Sequence, residues 1–448
     1  MSDVVDAFIA ELGASGDGMA ILPEGRLYVP LTAPGDSVRV ALAGKRDDAM
    51  PGVATELLSP GLHRREPPCP HHAAIGKAGC GGCTLQHVDI ETYRAFKLSL
   101  LEKALVRAGI SAQEWAEPCW VGPGARRRAC FAARHTGKAV LLGFNEHGSH
   151  AICDLASCLV LDPRIVAALP ELRMVLKDIL RPRDEVDVHV SLIGGALDVV
   201  LVREKPLSAP DASVFAETME KLDIARLSWR RDERHLPEVL LLRRAPQAQF
   251  GGFAVRLPPA GFMQASAAGE KALVLAVLEG LSGCRKVADL YCGSGTFALP
   301  LAAAGMAVMA ADSDAPAIAA LDEAIRKAVI GGRARAVKRN LAQKPMLAAE
   351  FAGFDGAVFD PPRAGAREQV AELAKARIPR IMAVSCNPAT FSRDAATLAA
   401  AGYALRKIWP VDQFPYSPHM ELAGLFTRVG DPGPVTLGSS LMTGTEPN

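Results

Sequence analysis

The sequence predicts an α/β protein: a Rossmann-like domain preceded by a small N-terminal β-barrel and a strand-rich central domain. Three observations carry that expectation. Residues 7 to about 58 alternate apolar and polar positions in short runs, punctuated by Gly13, Gly16, Gly18 and Pro34-Gly35-Asp36, the pattern of a small antiparallel barrel. Residues from about 109 to 245 are rich in strand-like runs. From about 250 to 430, short apolar runs alternate with helical stretches, the signature of βαβ units around a parallel sheet. The chain has 448 residues, enough for about three domains with cores of their own. The expected boundaries are 1–58 for the barrel, 59–249 for the central region and 250–430 for the α/β domain. Residues 431–448 are rich in Gly, Pro, Ser and Thr and are expected to be disordered.

Composition narrows the class. A net charge of +1 and an apolar fraction of 49% describe a globular chain, not a tail or a fibre. Near-neutral charge does not exclude a nucleic-acid partner, because local patches set the attraction to phosphates. No run of apolar residues is long enough to span a membrane, and the acidic start Met1-Ser2-Asp3-Val4-Val5-Asp6 lacks the basic opening of a signal peptide. The expectation is a cytoplasmic protein acting as a monomer. Its ten cysteines then read as metal ligands, nucleophiles or core fillers in preference to disulfides.

Taken in order, the barrel segment suits single-stranded nucleic acid on fold analogy alone. Residues 59–90 are rich in Cys, Pro and Gly without periodicity, and a helix is expected over Ile90 to Ala108. In the central region, Val186 to Leu192 and Ala196 to Val202 read as hairpin strands around Gly194-Gly195. The first alternates cleanly; the second is more continuously apolar. Beyond 250, strands are expected at Val287 to Tyr291, Ala307 to Ala311, Gly356 to Asp360 and Ile381 to Ser385. Helices are expected at Ala315 to Val329 and Thr390 to Ala401.

The run Asp289-Leu290-Tyr291-Cys292-Gly293-Ser294-Gly295-Thr296-Phe297 joins a strand to a helix. Glycines allow close backbone approach to a ligand, and a helix start offers free N–H groups. Asp312 ends the next strand, 23 residues after Asp289, where an acid accepts ribose hydroxyls. A dinucleotide such as NAD would use the same acid. Ala298 stands at the third glycine position of that fingerprint, so S-adenosylmethionine, with no pyrophosphate, fits better.

Asp360-Pro361-Pro362-Arg363 follows an apolar strand, and two prolines make a stiff turn able to hold a planar substrate. Enzymes that methylate exocyclic amino groups also place an acid or amide before Pro-Pro, which is the nearest alternative. Cys386, in Val384-Ser385-Cys386-Asn387-Pro388, ends the next strand beside a helix start, where a lowered thiol pKa would make a nucleophile. A thiolate added to C6 of uracil makes C5 rich enough in electrons to take a methyl group. A base must then remove the C5 proton, and Glu421 in His419-Met420-Glu421 is the candidate.

With Gly261-Phe262-Met263-Gln264-Ala265-Ser266 added, these motifs resemble the RNA uracil-5-methyltransferase family. The similarity is to its ribosomal-RNA branch, which carries an N-terminal TRAM barrel and an iron–sulfur cluster, and it spans nearly all of residues 7 to 428. The resemblance implies a Rossmann-like methyltransferase domain, Cys386 as nucleophile and Glu421 as proton acceptor. It further implies a cofactor pocket of Gln264, Tyr291, Thr296, Asp312, Asn340 and Asp360.

Cys80-Gly81-Gly82-Cys83 places two thiols within reach of one metal centre, with Cys69 upstream and Cys158 or its rival Cys153 downstream. Ligand chemistry alone permits zinc, with His71 or His72 competing, or an iron–sulfur cluster. The resemblance implies a 4Fe-4S cluster on Cys69, Cys80, Cys83 and Cys158. Arg126-Arg127-Arg128, Lys338-Arg339 and Arg363 are candidates for RNA phosphates. Base flipping is expected for a uracil in folded RNA, but at 5% aromatic content no stacking residue stands out. Ribosomal RNA is preferred to transfer RNA only through the resemblance. The competing class is a non-catalytic RNA-binding protein.

Overall fold

The computed structural model describes residues 4–44, 49–328, 330 and 332–430; the expectation for the tail lies outside them. The N-terminal sheet has six strands, in the order Val4–Phe8, Ser37–Leu42, Ala49–Ser59, Gly25–Val29, Gly18–Leu22, Glu11–Leu12. It curls around Ile9, Leu27, Val29, Val38 and Val40, all wholly buried. This is the small N-terminal barrel that was expected, present as a curled half-barrel; only its all-antiparallel pairing departs from the expectation. Among the described residues the edge strands Val4–Phe8 and Glu11–Leu12 share no ladder, and Gly25–Val29 pairs with Ala49–Ser59 in parallel. Alternation identifies strands; it does not say which edges meet.

The central sheet has seven strands: Ile152–Asp154, Val140–Asn145, Arg128–His135, Glu185–Ile193, Ala196–Val202, Ile224–Arg230 and Glu238–Leu242 in spatial order. Gly194 and Gly195, both at positive φ, close the expected hairpin with Ile193 opposite Ala196. The second hairpin strand is the more continuously apolar because Ile224–Arg230 pairs with it in parallel and every one of its residues is buried, Asp198 included.

The α/β domain is built on a sheet of parallel strands Ala334–Lys338, Ala307–Asp312, Lys286–Leu290, Gly356–Phe359 and Arg380–Ser385, in that spatial order. Antiparallel Glu421–Arg428 and then Tyr403–Asp412 complete it. Strand order reverses between Lys286–Leu290 and Gly356–Phe359, the switch point at which open α/β sheets bind ligands. The short strands Glu114–Trp115 and Cys119–Trp120 add to the Tyr403–Asp412 edge and join the central region to this sheet.

Helix Ile90–Arg107 starts at Asp89, whose carboxylate accepts from the N–H groups of Glu91 and Thr92. It carries the wholly buried Lys97, for which periodicity gives no warning. Lys97 Nζ lies 2.9 Å from Asp412 Oδ1 and donates to the carbonyls of Ser417 (2.8 Å), Phe414 (3.3 Å) and His419. Tyr93 donates its hydroxyl to the other Asp412 oxygen. A buried ammonium is tolerated only when paired and hydrogen-bonded. Here it clasps the segment 413–420 that leads into Glu421.

Lys97→Met leaves Asp412 buried without its counter-charge and is expected to cost about 3–5 kcal/mol, read as a lower midpoint of urea unfolding. Adding Asp412→Leu should return part of that loss. Equal losses in the single and double variants would show that the two groups do not act as a pair.

Candidate active site

The switch point opens into a cavity of about 460 Å³. Its walls bring together all six residues expected at a cofactor pocket, Gln264, Tyr291, Thr296, Asp312, Asn340 and Asp360, together with Cys386 and Glu421. The local backbone explains the glycine-rich turn. Tyr291 leaves the strand at φ 63°, a strained value for a residue with a side chain, and its N–H donates to Ala311 O at 2.8 Å. Gly295 sits at φ 99°, where a Cβ would meet Leu321 Cδ1 at 2.5 Å. The helix that follows, Ala298–Ala303, has only six residues. Asp312 braces the turn: Gly293 N donates to one carboxylate oxygen at 2.9 Å and Asp314 N to the other at 2.8 Å. Each oxygen keeps a further acceptor site for a ligand hydroxyl. Asn340 Oδ1 accepts from the N–H groups of Ala342 and Gln343, both at 3.2 Å.

Cys386 and Glu421 meet through the sheet. The antiparallel ladder ends with Ser385 opposite Leu422, which brings the next residue on each side, Cys386 and Glu421, to the same end of the sheet. Asn387 caps helix Pro388–Ala400 by accepting from Ala389 N at 3.0 Å. Its amide also donates to Arg363 O at 3.3 Å, locking the Cys386 turn to the Pro361-Pro362 turn. Glu421 is 4% exposed, and its Oε2 has no hydrogen-bond partner. Its carboxylate is bonded by Gln413. The Gln413 amide donates to Gln264 Oε1 (2.7 Å), and Gln264 Nε2 donates to Asp360 Oδ2 (3.0 Å). Ser266 N donates to Gln413 Oε1 at 3.3 Å and so fixes which way that amide points. Gln413 is therefore a site residue that sequence reasoning missed; a polar residue after a strand carries no signal of its own.

The electrostatics correct one expectation. Proximity to a helix start suggested a lowered thiol pKa, but burial, reinforced by the charges of Glu421 and Asp360, pushes Cys386 up to about 11. Burial likewise pushes Asp360 up to about 7. Burial together with the Asp360 charge pushes Glu421 up to about 8. Asp289, wholly buried beneath the pocket, is pushed well above the carboxylate range by the same desolvation.

The basic residues do not form one phosphate-binding edge. Arg127 pairs with Glu270 and donates to Gln264 O (3.0 Å), joining the central and α/β domains. Arg339 is committed to Glu350 at 2.7 Å. Arg363 lies 3.3 Å from His419 Nδ1. Arg128 lines the pocket with its guanidinium 4.8 Å from the Phe262 ring centre. Phe262, 50% exposed, is the flat aromatic wall that composition could not single out.

A second cavity, of about 350 Å³, is lined by Cys69, Cys80, Cys83 and Cys158, with Cys153 outside the lining. Burial raises the thiols of Cys80, Cys83 and Cys158, to about 11 for Cys80 and about 12 for Cys83. His72 also lines it, with neither ring nitrogen hydrogen-bonded, whereas His71 Nε2 accepts from Ala156 N at 3.1 Å. Among the described residues no group of three or more His, Cys, Asp or Glu side chains is arranged to hold a metal ion. Phe414 lines both this cavity and the first, so the segment clasped by Lys97 is the wall between them.

Fold and pocket together define a methyltransferase of the Rossmann-like class. The structure resembles the Pyrococcus abyssi tRNA (uracil-54, C5)-methyltransferase in complex with S-adenosyl-L-homocysteine. That likeness has a TM-score of 0.73 at 24% identity and covers 94% of this chain and 100% of that one. Residues 252–429 match the family model described as tRNA (Uracil-5-)-methyltransferase. A Brucella suis protein described as an uncharacterized RNA methyltransferase is 40% identical over 94% of this chain and 97% of its own length. The chain belongs to the RNA (uracil-5-)-methyltransferase family. Among its relatives, the 23S rRNA (uracil(1939)-C(5))-methyltransferase RlmD of Pseudomonas putida is 34% identical over 93% of this chain and 92% of that one. Among the described residues no helix is long and apolar enough to cross a membrane.

The raised thiol sets a test that needs no substrate. Iodoacetamide alkylation of Cys386, followed by peptide mass spectrometry, should keep accelerating as pH rises toward about 11. Glu421→Gln removes a negative neighbour, so the thiol pKa falls and alkylation at about pH 8 speeds up. A rate that levels off near neutrality, or no response to Glu421→Gln, would contradict the electrostatic account.

Proposed function

We propose that the protein methylates C5 of a uridine in RNA, with Cys386 as nucleophile and Glu421 as base. The observation that carries this reading is a single cavity lined by both the Cys386 thiol and the buried Glu421 carboxylate, one of whose oxygens has no hydrogen-bond partner. Bound there, S-adenosylmethionine supplies an electrophilic methyl group on a sulfonium. The lining fits that donor: Asp312 and Asn340 would accept from its ribose and base, and its positive charge would draw the carboxyl groups of Asp360 and Glu421 toward ionisation. A cation at that point opposes the charges that raise Cys386 and draws it toward thiolate.

The Cys386 thiolate adds to C6, and the electron pair of the C5–C6 bond takes the methyl group at C5. Glu421 then accepts the C5 proton, and the C6–sulfur bond breaks as the ring double bond returns. Gln413 and Gln264 hold the two carboxyl groups apart and oriented. The flipped base has the flat face of Phe262 to lie against.

Ribosomal RNA is the proposed substrate, supported by the Pseudomonas putida relative. A 4Fe-4S cluster on Cys69, Cys80, Cys83 and Cys158 is proposed for the second cavity. Four thiols lining one cavity are the donor set that such a cluster takes, which supports this reading. There it would brace the segment 413–420 without entering the reaction.

Two measurements test these assignments. In a tritium-release assay on RNA carrying 5-tritiated uridine, Cys386→Ala should release none. Glu421→Gln should slow release by about 10²–10⁴-fold while methylated RNA accumulates covalently on the protein. Release by Cys386→Ala would remove the proposed mechanism. Anaerobically purified protein should contain about four irons per chain, and Cys83→Ser should lose them.

A further inference from the structure

The central sheet has two unlike faces. One packs on helices Pro163–Ile179 and Ala209–Lys221 through Phe131, Val188, Val190, Val199 and Leu201. Strand alternation sends the intervening side chains to the opposite face, where polar residues ordinarily meet bulk water. Here they floor a cavity of about 450 Å³, whose lining includes Arg126, Arg128, His189, Ser191, Arg230 and Glu233. Arg128 also lines the catalytic cavity, so its guanidinium, stacked on Phe262, is the partition between the two spaces.

Two arginine donors on this floor are unsatisfied. Arg128 Nε and Arg230 Nε are buried without a hydrogen-bond partner, and Arg230 is only 8% exposed. His189 Nδ1 lies 3.3 Å from Arg230 Nη2, which can only donate, so Nδ1 accepts and Nε2 carries the hydrogen. Of the two acids in the lining, Asp198 is occupied by Arg226 through two bonds of 2.8 Å. The other, Glu233, pairs with Arg230 and reaches within 3.1 Å of His189 Nε2, yet its side chain is 61% exposed. An exposed carboxylate over a buried arginine is weakly held. It occupies the place of an anion without filling the cavity beneath it.

The ligand must offer negative charge and several acceptor oxygens, and it must lie one step from the catalytic pocket. A phosphodiester has that chemistry, and guanidinium groups match its geometry. We propose that this cavity is a subsite for the phosphodiester of the RNA nucleotide next to the target uridine, held by Arg128 and Arg230 and admitted when it displaces Glu233. The proposal rests on the RNA reading given above. A base swung out of its stack needs its flanking backbone held, and phosphate contacts do that without reading sequence.

The test uses the full-length protein with S-adenosylhomocysteine and a short fluorescein-labelled single-stranded RNA containing one uridine, read by anisotropy across a salt series. Arg230→Gln should weaken binding by about tenfold and reduce the slope of log affinity against log salt by about one. Glu233→Gln should act in the opposite direction and tighten binding, by about threefold at low salt. Calorimetric binding of S-adenosylhomocysteine reports that each variant is folded. An unchanged slope in Arg230→Gln, or weaker binding in Glu233→Gln, overturns the subsite. Methylation by a wild-type enzyme whose Arg230→Gln variant keeps the full slope overturns the subsite alone. RNA binding with the expected slopes but no methylation leaves the subsite standing and overturns the methyltransferase reading.

Discussion

Two carboxyl groups and a thiol share one pocket, Glu421 buried and Asp360 and Cys386 partly so, and much of the architecture around the switch point serves that constraint. Asp360 raises the proton affinity of Glu421, and both raise that of Cys386. Left unpaired, such groups would be costly to keep ionised in a low-dielectric site. The chain answers with amides, which orient the carboxyl groups without neutralising them: Gln413 bonds Glu421 and Gln264, and Gln264 bonds Asp360. The missing positive charge is what a sulfonium donor would bring.

The pocket is assembled from elements far apart in the chain, and buried ion pairs hold them in register. Lys97, more than three hundred residues from Glu421, clasps the segment before it through Asp412 and three carbonyls. Arg127 joins the central sheet to the strap carrying Gln264. Thr84 N and Leu85 N, just beyond Cys83, donate to Tyr416 O on that same clasped segment at 2.9 and 3.0 Å. The four-cysteine cavity and the reacting centre therefore share one wall, and whatever orders the cysteines also orders Glu421.

Much of the α/β domain was legible because strand ends in a parallel sheet collect function at one edge. Asp289, Asp312, Asp360 and Cys386 each close an apolar run, and those runs are adjacent in the sheet. The meeting of Cys386 with Glu421 was not legible from spacing, since it depends on the last strand turning back antiparallel beside Arg380–Ser385. Lys97 and Gln413 were missed for the same reason. A lysine on a helix and a glutamine after a strand look solvated until a partner from elsewhere covers them. The lowered thiol pKa failed because burial beside two carboxylates outweighs one helix start. The parallel pairing inside the N-terminal half-barrel was not legible, because short alternating strands specify faces and leave partners to register.

The central claim is that the Cys386 sulfur bonds to C6 of the target base while Glu421 waits for the C5 proton. Replacing the uridine by 5-fluorouridine leaves no proton to remove, so the bonded state should persist. Tryptic mass spectrometry of protein incubated with such RNA and S-adenosylmethionine should then find a methylated fluorouridine on the peptide bearing Cys386. An active enzyme that leaves that peptide unmodified, or carries the nucleotide on another cysteine, would contradict the account.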